Sequence, residues 1–103
     1  MNRYFLSPAA QEDLVDISDY YLEEAGTRVA RKMLVEFVEA FRFLVRTPGA
    51  GHKREDLTPD PSILFWPVRD FLIVYRQRAD KLEIVLIARG SRDIPTLMSR
   101  RSI

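Results

Sequence analysis

The strongest constraint on the fold is the stretch of residues 70–93, in which two apolar runs flank a short polar patch. The runs, residues 71–75 and 82–88, are rich in isoleucine, valine, leucine and aromatic side chains, a composition typical of β-strands. The patch at 76–81 supplies polar residues for a turn. The stretch therefore predicts a β-hairpin that is followed by a short basic loop.

The length of the hairpin loop decides which side chains share a face of the sheet. An even loop centred on Ala79 and Asp80 sets three charged pairs across the strands: Arg78 with Lys81, Arg76 with Glu83, and Asp70 with Arg89. One face is then wholly apolar and needs a helical cover; it holds Phe71, Ile73, Tyr75, Leu82, Ile84, Leu86 and Ala88. The other face is half apolar and is predicted to be open to a partner; it holds Leu72, Val74, Val85 and Ile87.

Hydrophobic spacing places two helices before this hairpin. A short strand at 3–6 precedes Ser7 and Pro8, which are typical of a helix start, and the first helix runs to about residue 24. Gly26 ends it, and a second helix with a broad apolar stripe spans about 28–46. A further strand is predicted at 63–68. The order β-α-α-β-β-β indicates an α+β fold, with a helical hairpin packed on a small antiparallel sheet.

Composition narrows the class of protein. With 103 residues, the chain is predicted to form one domain, residues 1–103, with a flexible tail at 99–103. It contains no cysteine, which excludes disulfides and fits a reducing compartment. No apolar stretch is long enough to span a membrane, so we expect a cytoplasmic protein without a membrane partner. The net charge of +1 gives no reason to expect direct, sequence-specific binding to nucleic acid.

Charge is distributed unevenly along the chain. Residues 11–26 contain six carboxylates and no lysine or arginine, whereas four arginines against Asp93 alone follow from Arg89 onward. This asymmetry indicates two surfaces with different partners. The alternative is two ordinary solvated faces.

The residues able to do chemistry are few. His52 is the single histidine, and no metal-ligand or phosphate-loop pattern is present, so we assign no catalytic residue firmly and expect neither metal nor cofactor. Arginines at loops and strand ends remain, at positions 54, 69, 76, 89 and 92. With His52 and Lys53 they would grip an RNA backbone, or they would dock a protein. In the alternative, Arg76 forms an ordinary ion pair with Glu83, Arg89 pairs with Asp70, and Arg92 pairs with Asp93 or faces solvent.

Trp66 lies beside Pro67 on the predicted strand, and Phe65 points to the opposite face. An exposed Trp66 would be a candidate anchor for a protein interface. Alternatively, Trp66 is part of the core and the preceding loop covers Phe65.

Several segments together resemble the RelE/ParE superfamily of bacterial toxins, and within it the ParE branch. They are SPAAQEDLVDISDYYLEEAG, TPGAG at the end of the second helix, Arg54 before Leu57, FLIVYR in the hairpin, and IVLIARGSRD near the end. The resemblance covers residues 4–98. It implies the same βααβββ fold, a toxin of a type II toxin–antitoxin system, and a cognate antitoxin, often ParD-like, that silences it.

Two functions follow from the resemblance. RelE-like members cut messenger RNA on the ribosome, and here the candidate residues would be His52, Arg54, Arg76 and Arg89. However, the segment IPTLMSRRSI lacks tyrosine and histidine, and Arg89 stands where many members have a histidine. ParE-like members instead poison DNA gyrase by protein contact, so we predict this function, with Arg54, Arg89 and Arg92 as candidate target contacts. A non-toxic relative that only binds the antitoxin is the third alternative.

The antitoxin is predicted to lay an amphipathic segment against the open face of the hairpin. The candidate contacts are Trp66, Leu72, Val74, Val85 and Ile87.

Overall fold

The computed structural model describes residues 3–103, so residues 1 and 2 of the predicted domain lie outside the described part. Its elements are β1 (Arg3–Leu6), α1 (Pro8–Ala25), α2 (Thr27–Arg46), a 3-10 turn (Pro48–Ala50), β2 (Leu64–Val68), β3 (Phe71–Arg78), β4 (Lys81–Arg89) and α3 (Ile94–Arg100). The predicted α+β class and βααβββ order are confirmed, and α3 follows as an additional short helix.

The four strands form one sheet in the order β1-β4-β3-β2. β3 pairs antiparallel with both β2 and β4, whereas β1 lies parallel to β4. The sheet is therefore mixed and not, as the sequence predicts, wholly antiparallel. A parallel pair requires a crossover, and the α1–α2 hairpin provides it. The two helices therefore cover one face of the sheet, where α2 buries Met33, Phe37 and Phe41 against the strands.

The start of α1 explains how the helical hairpin is fixed to the sheet. Ser7 caps the helix, because its hydroxyl accepts a hydrogen bond from the N–H of Ala10 at 3.0 Å. The same hydroxyl donates to the carbonyl of Val85 at 2.7 Å, and the N–H of Ser7 donates to the carbonyl of Ile84 at 2.9 Å. Asp13, one turn into the helix, accepts the N–H of Ile87 at 2.9 Å. Beyond the end of β1, α1 thus supplies the hydrogen-bond partners that a longer strand would have given β4.

The predicted hairpin register is confirmed near the turn, where Arg78 pairs with Lys81 and Arg76 with Glu83. It is wrong beyond residue 84, because the register shifts between Val74 and Tyr75. Tyr75 lies opposite Ile84 and Val74 opposite Leu86, which leaves Val85 as an extra residue in β4. This irregularity is a β-bulge. Compared with the regular register, it places every later residue of β4 on the opposite face of the sheet. Arg89 therefore lies opposite Phe71 and not opposite Asp70, whose carbonyl accepts the N–H of Gly90.

The bulge corrects the predicted composition of the two faces. Leu86 and Ala88 lie on the face away from the helical hairpin, whereas Ile87 packs into the helix-covered core.

The second face is not open, which corrects the other part of that prediction. Leu57, Ile63 and Phe65 cover it from the β2 side, and α3 covers it with Ile94 and Met98. Of the five candidate antitoxin contacts, Val74, Val85 and Ile87 are buried, and only Leu72 and Trp66 keep part of their surface exposed. Sequence alternation predicts which residues share a face only where the register is regular, and it does not show that a distant segment will cover that face.

Residues 99–103, for which the sequence predicts a flexible tail, make specific contacts. The Arg101 guanidinium forms two hydrogen bonds of 2.8 Å with the Asp13 carboxylate. The N–H of Ile103 donates to the carbonyl of Met98, and the Ile103 side chain packs on the second core cluster. These contacts hold α3 against α1 and the sheet. None of the helices within residues 3–103 is long and apolar enough to cross a bilayer.

Candidate functional site

A cleft of about 350 Å³ lies where the end of β4 meets α1 and α3. It brings together two of the predicted target contacts, Arg89 and Arg92, but not the third, Arg54. Its remaining wall residues are Asp13, Asp16, Ile17, Tyr20, Phe71, Ile87, Ala88, Leu97 and Arg101. Guanidinium groups and apolar side chains therefore line the same cleft.

Two aromatic rings hold the Arg89 side chain. Its guanidinium carbon lies 4.9 Å from the centre of the Phe71 ring and 5.3 Å from that of Tyr20. Such cation–π contacts use the flat face of the guanidinium and leave its N–H groups, which lie in the plane, available to a ligand. Arg89 reaches these rings because the bulge places it opposite Phe71.

Arg92 follows Arg89 through a tight turn, in which the N–H of Arg92 donates to the carbonyl of Arg89 at 3.0 Å. Within residues 3–103, neither arginine forms an ion pair with a carboxylate. Asp93, the partner of Arg92 in the ion-pair alternative, instead caps α3 by accepting hydrogen bonds from the N–H and hydroxyl of Thr96. These bonds favour the charged carboxylate and lower the pKa of Asp93. Both cleft arginines thus keep their donors for an external anion.

Arg101 lines the same cleft, but its donors are engaged. The carboxylate of Asp13 accepts two of them and, through this bond and its charge, raises the pKa of Arg101. Asp13 is buried, with 8% of its surface exposed, and also accepts the N–H of Ile87. The pair is therefore a structural support of the cleft wall.

The other predicted arginines form ion pairs elsewhere. Arg54 makes a bidentate pair with Asp56 at 2.8–2.9 Å, and Arg76 pairs with Glu83 at 2.8 Å, as the register predicts. Arg69 makes a bidentate pair with Glu36, and this hydrogen bond is the main reason why the pKa of Glu36 is lowered.

The four residues predicted for a ribonuclease do not converge. Arg76 lies opposite Glu83, six residues before Arg89 on β4, which corresponds to roughly 20 Å along the strand. His52 lies beside β2, where its backbone pairs with Phe65. Neither His52, Arg54 nor Arg76 lines the cleft that contains Arg89. One phosphate group therefore does not reach all four side chains in this arrangement.

Trp66 is half-buried on the helix side of the sheet. It is therefore neither a fully exposed anchor nor a fully buried core residue, the two alternatives derived from the sequence. Its ring packs against Phe43 with centroids 5.2 Å apart and stacks on His52 at 6.2 Å with an interplanar angle of 9°. Phe65 is buried on the opposite face. The exposed side of Trp66 contributes to a shallow groove between α2 and β2, together with Pro67 and Glu39.

Sequence reasoning missed Tyr20, Asp13 and Arg101 at the cleft. One signal was present for Asp13, because its spacing from Ala10 and Ile17 places it on the buried stripe of α1, where an unpaired carboxylate is costly. No local signal pairs Asp13 with Arg101, since 88 residues separate them. Within residues 3–103, no three potential metal ligands form a cluster.

Comparisons with known proteins identify the family and agree with the α+β fold. A family model described as the ParE toxin of the type II toxin–antitoxin system parDE matches residues 4–94. A solved structure of the chromosomal ParDE toxin–antitoxin system from P. aeruginosa contains a chain that is 25% identical, with a TM-score of 0.71. The match covers 86% of this chain and 96% of that one. A search among curated proteins gives no significant match.

Proposed function

Because this chain belongs to the ParE family of type II toxin–antitoxin toxins, we propose that it inhibits DNA gyrase by protein contact and not by catalysis. The observation that carries the proposal is the cleft of Arg89 and Arg92, whose guanidinium groups have no carboxylate partner within residues 3–103. Such groups form strong, charge-assisted hydrogen bonds with anionic partners. Arginine is also enriched among the hot-spot residues of protein interfaces.

The chemistry of the cleft supports a role in binding. A guanidinium stays protonated at every physiological pH and does not act as an ordinary general base. The single histidine lies beside β2 and stacks on Trp66, outside the cleft. With no cysteine in the chain, no thiolate is available either. The groups that surround Arg89 thus suit recognition of a partner better than turnover of a substrate.

We further propose that a ParD-like antitoxin neutralises this toxin. Trp66 and Leu72 are the candidate contacts that keep exposed surface, so they replace the buried valines as the residues to test first. Since Trp66 is the only tryptophan, its fluorescence reports binding at the α2–β2 groove without a label. A Trp66→Ala variant has no tryptophan signal, so its affinity for the antitoxin is measured by isothermal titration calorimetry. It should weaken the complex, whereas Val15→Ala, an exposed change on α1, serves as the control. Equal affinity in both variants would exclude the Trp66 contact.

The main experiment is a gyrase supercoiling and DNA-cleavage assay with the folded toxin, alone and after addition of a ParD-like antitoxin. We expect inhibition and accumulated cleaved DNA, both relieved by the antitoxin. Arg89→Ala and Arg92→Ala should each raise the inhibitory concentration about tenfold, which corresponds to roughly 1.4 kcal/mol of lost binding. Arg54→Ala should have a smaller effect, because Asp56 already occupies its donors.

Arg42→Ala is the matched control, since Arg42 is exposed on α2 and is not part of the cleft. Gyrase that is unaffected by the folded toxin would refute the proposal. Messenger RNA cut in a ribosome assay, with loss in Arg89→Ala, would instead establish the ribonuclease alternative.

A further inference from the structure

The ligand that the arginine cleft can accept is restricted by its charge. Asp13 and Arg101 neutralise each other, which leaves Arg89 and Arg92 against the exposed carboxylate of Asp16. The net excess of one positive charge matches one carboxylate. A nucleic-acid backbone would bring several phosphates toward Asp16, and their repulsion would offset part of the attraction.

The walls of the cleft restrict the ligand further. Ile17, Leu97 and Ala88 line it together with the two aromatic rings that hold Arg89. Apolar walls gain nothing from a phosphodiester backbone, but they stabilise an aliphatic side chain by excluding water. Its volume of about 350 Å³ is at the lower end of the range of ligand pockets, roughly 300–1,000 Å³, so it suits one or two side chains.

From this combination we infer that the cleft binds a glutamate or aspartate side chain, flanked by an aliphatic residue, in an acidic peptide segment of a protein partner. The inference rests on the proposed function, in which this surface meets a protein. The carboxylate accepts donors from Arg89 and Arg92, and the aliphatic neighbour packs against Leu97 and Ile17. Tyr20 acts as a positioning residue, since its ring holds the guanidinium of Arg89 in place.

The test is an NMR titration of the isotopically labelled chain, in which the Nε–H signals of Arg89 and Arg92 report binding at the guanidinium groups. The probes are a blocked tetrapeptide with one glutamate among leucines, the same peptide with glutamine, inorganic phosphate, and a twelve-residue oligothymidylate. We expect saturable shifts with the glutamate peptide and at least a fivefold weaker response with the glutamine peptide, because a charge-assisted hydrogen bond is lost.

Variants separate the role of each cleft residue. Arg89→Lys should weaken the glutamate peptide about fivefold or more, since lysine retains the charge but neither stacks nor binds in bidentate geometry. Arg42→Lys, outside the cleft, should leave its affinity unchanged. Tyr20→Ala should weaken binding, while Tyr20→Phe should restore it, because the ring alone supports Arg89.

Three results would overturn the inference. They are equal binding of the glutamate and glutamine peptides, equal weakening by Arg42→Lys and Arg89→Lys, and tighter binding of the oligothymidylate or phosphate than of the glutamate peptide. The titration contains no gyrase, so its failure is distinguishable from failure of the proposed function. Peptide binding without gyrase inhibition would leave the cleft assignment intact and remove only the proposed target.

Discussion

The contact between Asp13 and Arg101 makes a quantitative prediction about how the C-terminal segment is held. The Asp13 carboxylate accepts three hydrogen bonds, one from the N–H of Ile87 and two from Arg101. Replacement by alanine removes all three. We therefore expect Asp13→Ala to destabilise the chain much more than a typical surface substitution.

The magnitude follows from burial. Ile87 is 2% exposed, so water does not replace the lost acceptor, and the unsatisfied N–H costs about 1–3 kcal/mol. The Arg101 side chain is 28% exposed, so in Asp13→Ala its guanidinium can be hydrated by water. Loss of the ion pair therefore adds only about 0.5–1 kcal/mol. The expected total for Asp13→Ala is about 1.5–4 kcal/mol, a large part of the roughly 5–15 kcal/mol that stabilises a typical domain.

Arg101→Ala gives the second side of a double-mutant cycle. It leaves Asp13, whose side chain is 10% exposed, with the Ile87 N–H as its remaining partner, at a cost of about 2–3 kcal/mol. The double variant should cost little more than Asp13→Ala alone. The coupling energy is then about 2 kcal/mol, obtained from urea unfolding curves followed by circular dichroism.

Arg54 and Asp56 provide the matched control, because they form a bidentate pair of the same length on the surface. Their alanine variants should unfold at the same urea concentration as the unchanged chain. If the Asp13–Arg101 cycle shows no coupling, or if the exposed pair shows as much, burial does not control the strength of this contact and the reasoning fails.

Three further predictions concern the turns and the cap of α3. Gly51→Ala should lower the free energy of unfolding by about 1–3 kcal/mol, because the added Cβ would overlap the Tyr75 hydroxyl and lie 2.7 Å from the ring. Urea unfolding measures this free energy, and unchanged stability would contradict the close approach of Gly51 to Tyr75. Ala79→Gly should raise the same free energy by about 0.5–1 kcal/mol, since Ala79 has a φ of 55° in the hairpin turn; a loss of stability would contradict this. The lowered pKa of Asp93 means that its contribution is present above the ordinary carboxyl pKa and is lost as pH falls through the lowered value. Asp93→Asn keeps the cap without the charge, so the stability difference between the two chains should shrink from about pH 5 to pH 2, and a constant difference would refute the assignment.

Much of the fold was predictable because its signals are local. Ser7 and Pro8 mark the start of α1, Gly26 separates the two helices, and apolar spacing defines their buried stripes. The turn at Ala79 and Asp80 sets the hairpin register for the residues next to it. Each of these features depends on neighbours within a few positions, which a single sequence displays directly.

The cover of the second sheet face was not predictable in the same way. It depends on α3 and the segment around Ile63 folding back over Val74 and Val85, contacts that no periodicity encodes. The sequence shows that the segment 94–98 contains apolar residues, but it does not show where they pack. Alternation alone therefore predicts that the half-apolar face is a binding surface, although the chain covers it with its own residues.

The bulge at Val85 links the fold to the candidate site. In the regular register Arg89 would lie opposite Asp70, on the face that α3 and Phe65 cover. The extra residue moves it opposite Phe71, on the helix side, where Tyr20 and Phe71 hold its guanidinium. The bulge occurs where β1 ends and Ser7 takes over the hydrogen bonding of β4. Through one unpaired residue, the bulge at this position places Arg89 at the cleft and not in the second core. Bulges beside functional sites commonly redirect a side chain in this way.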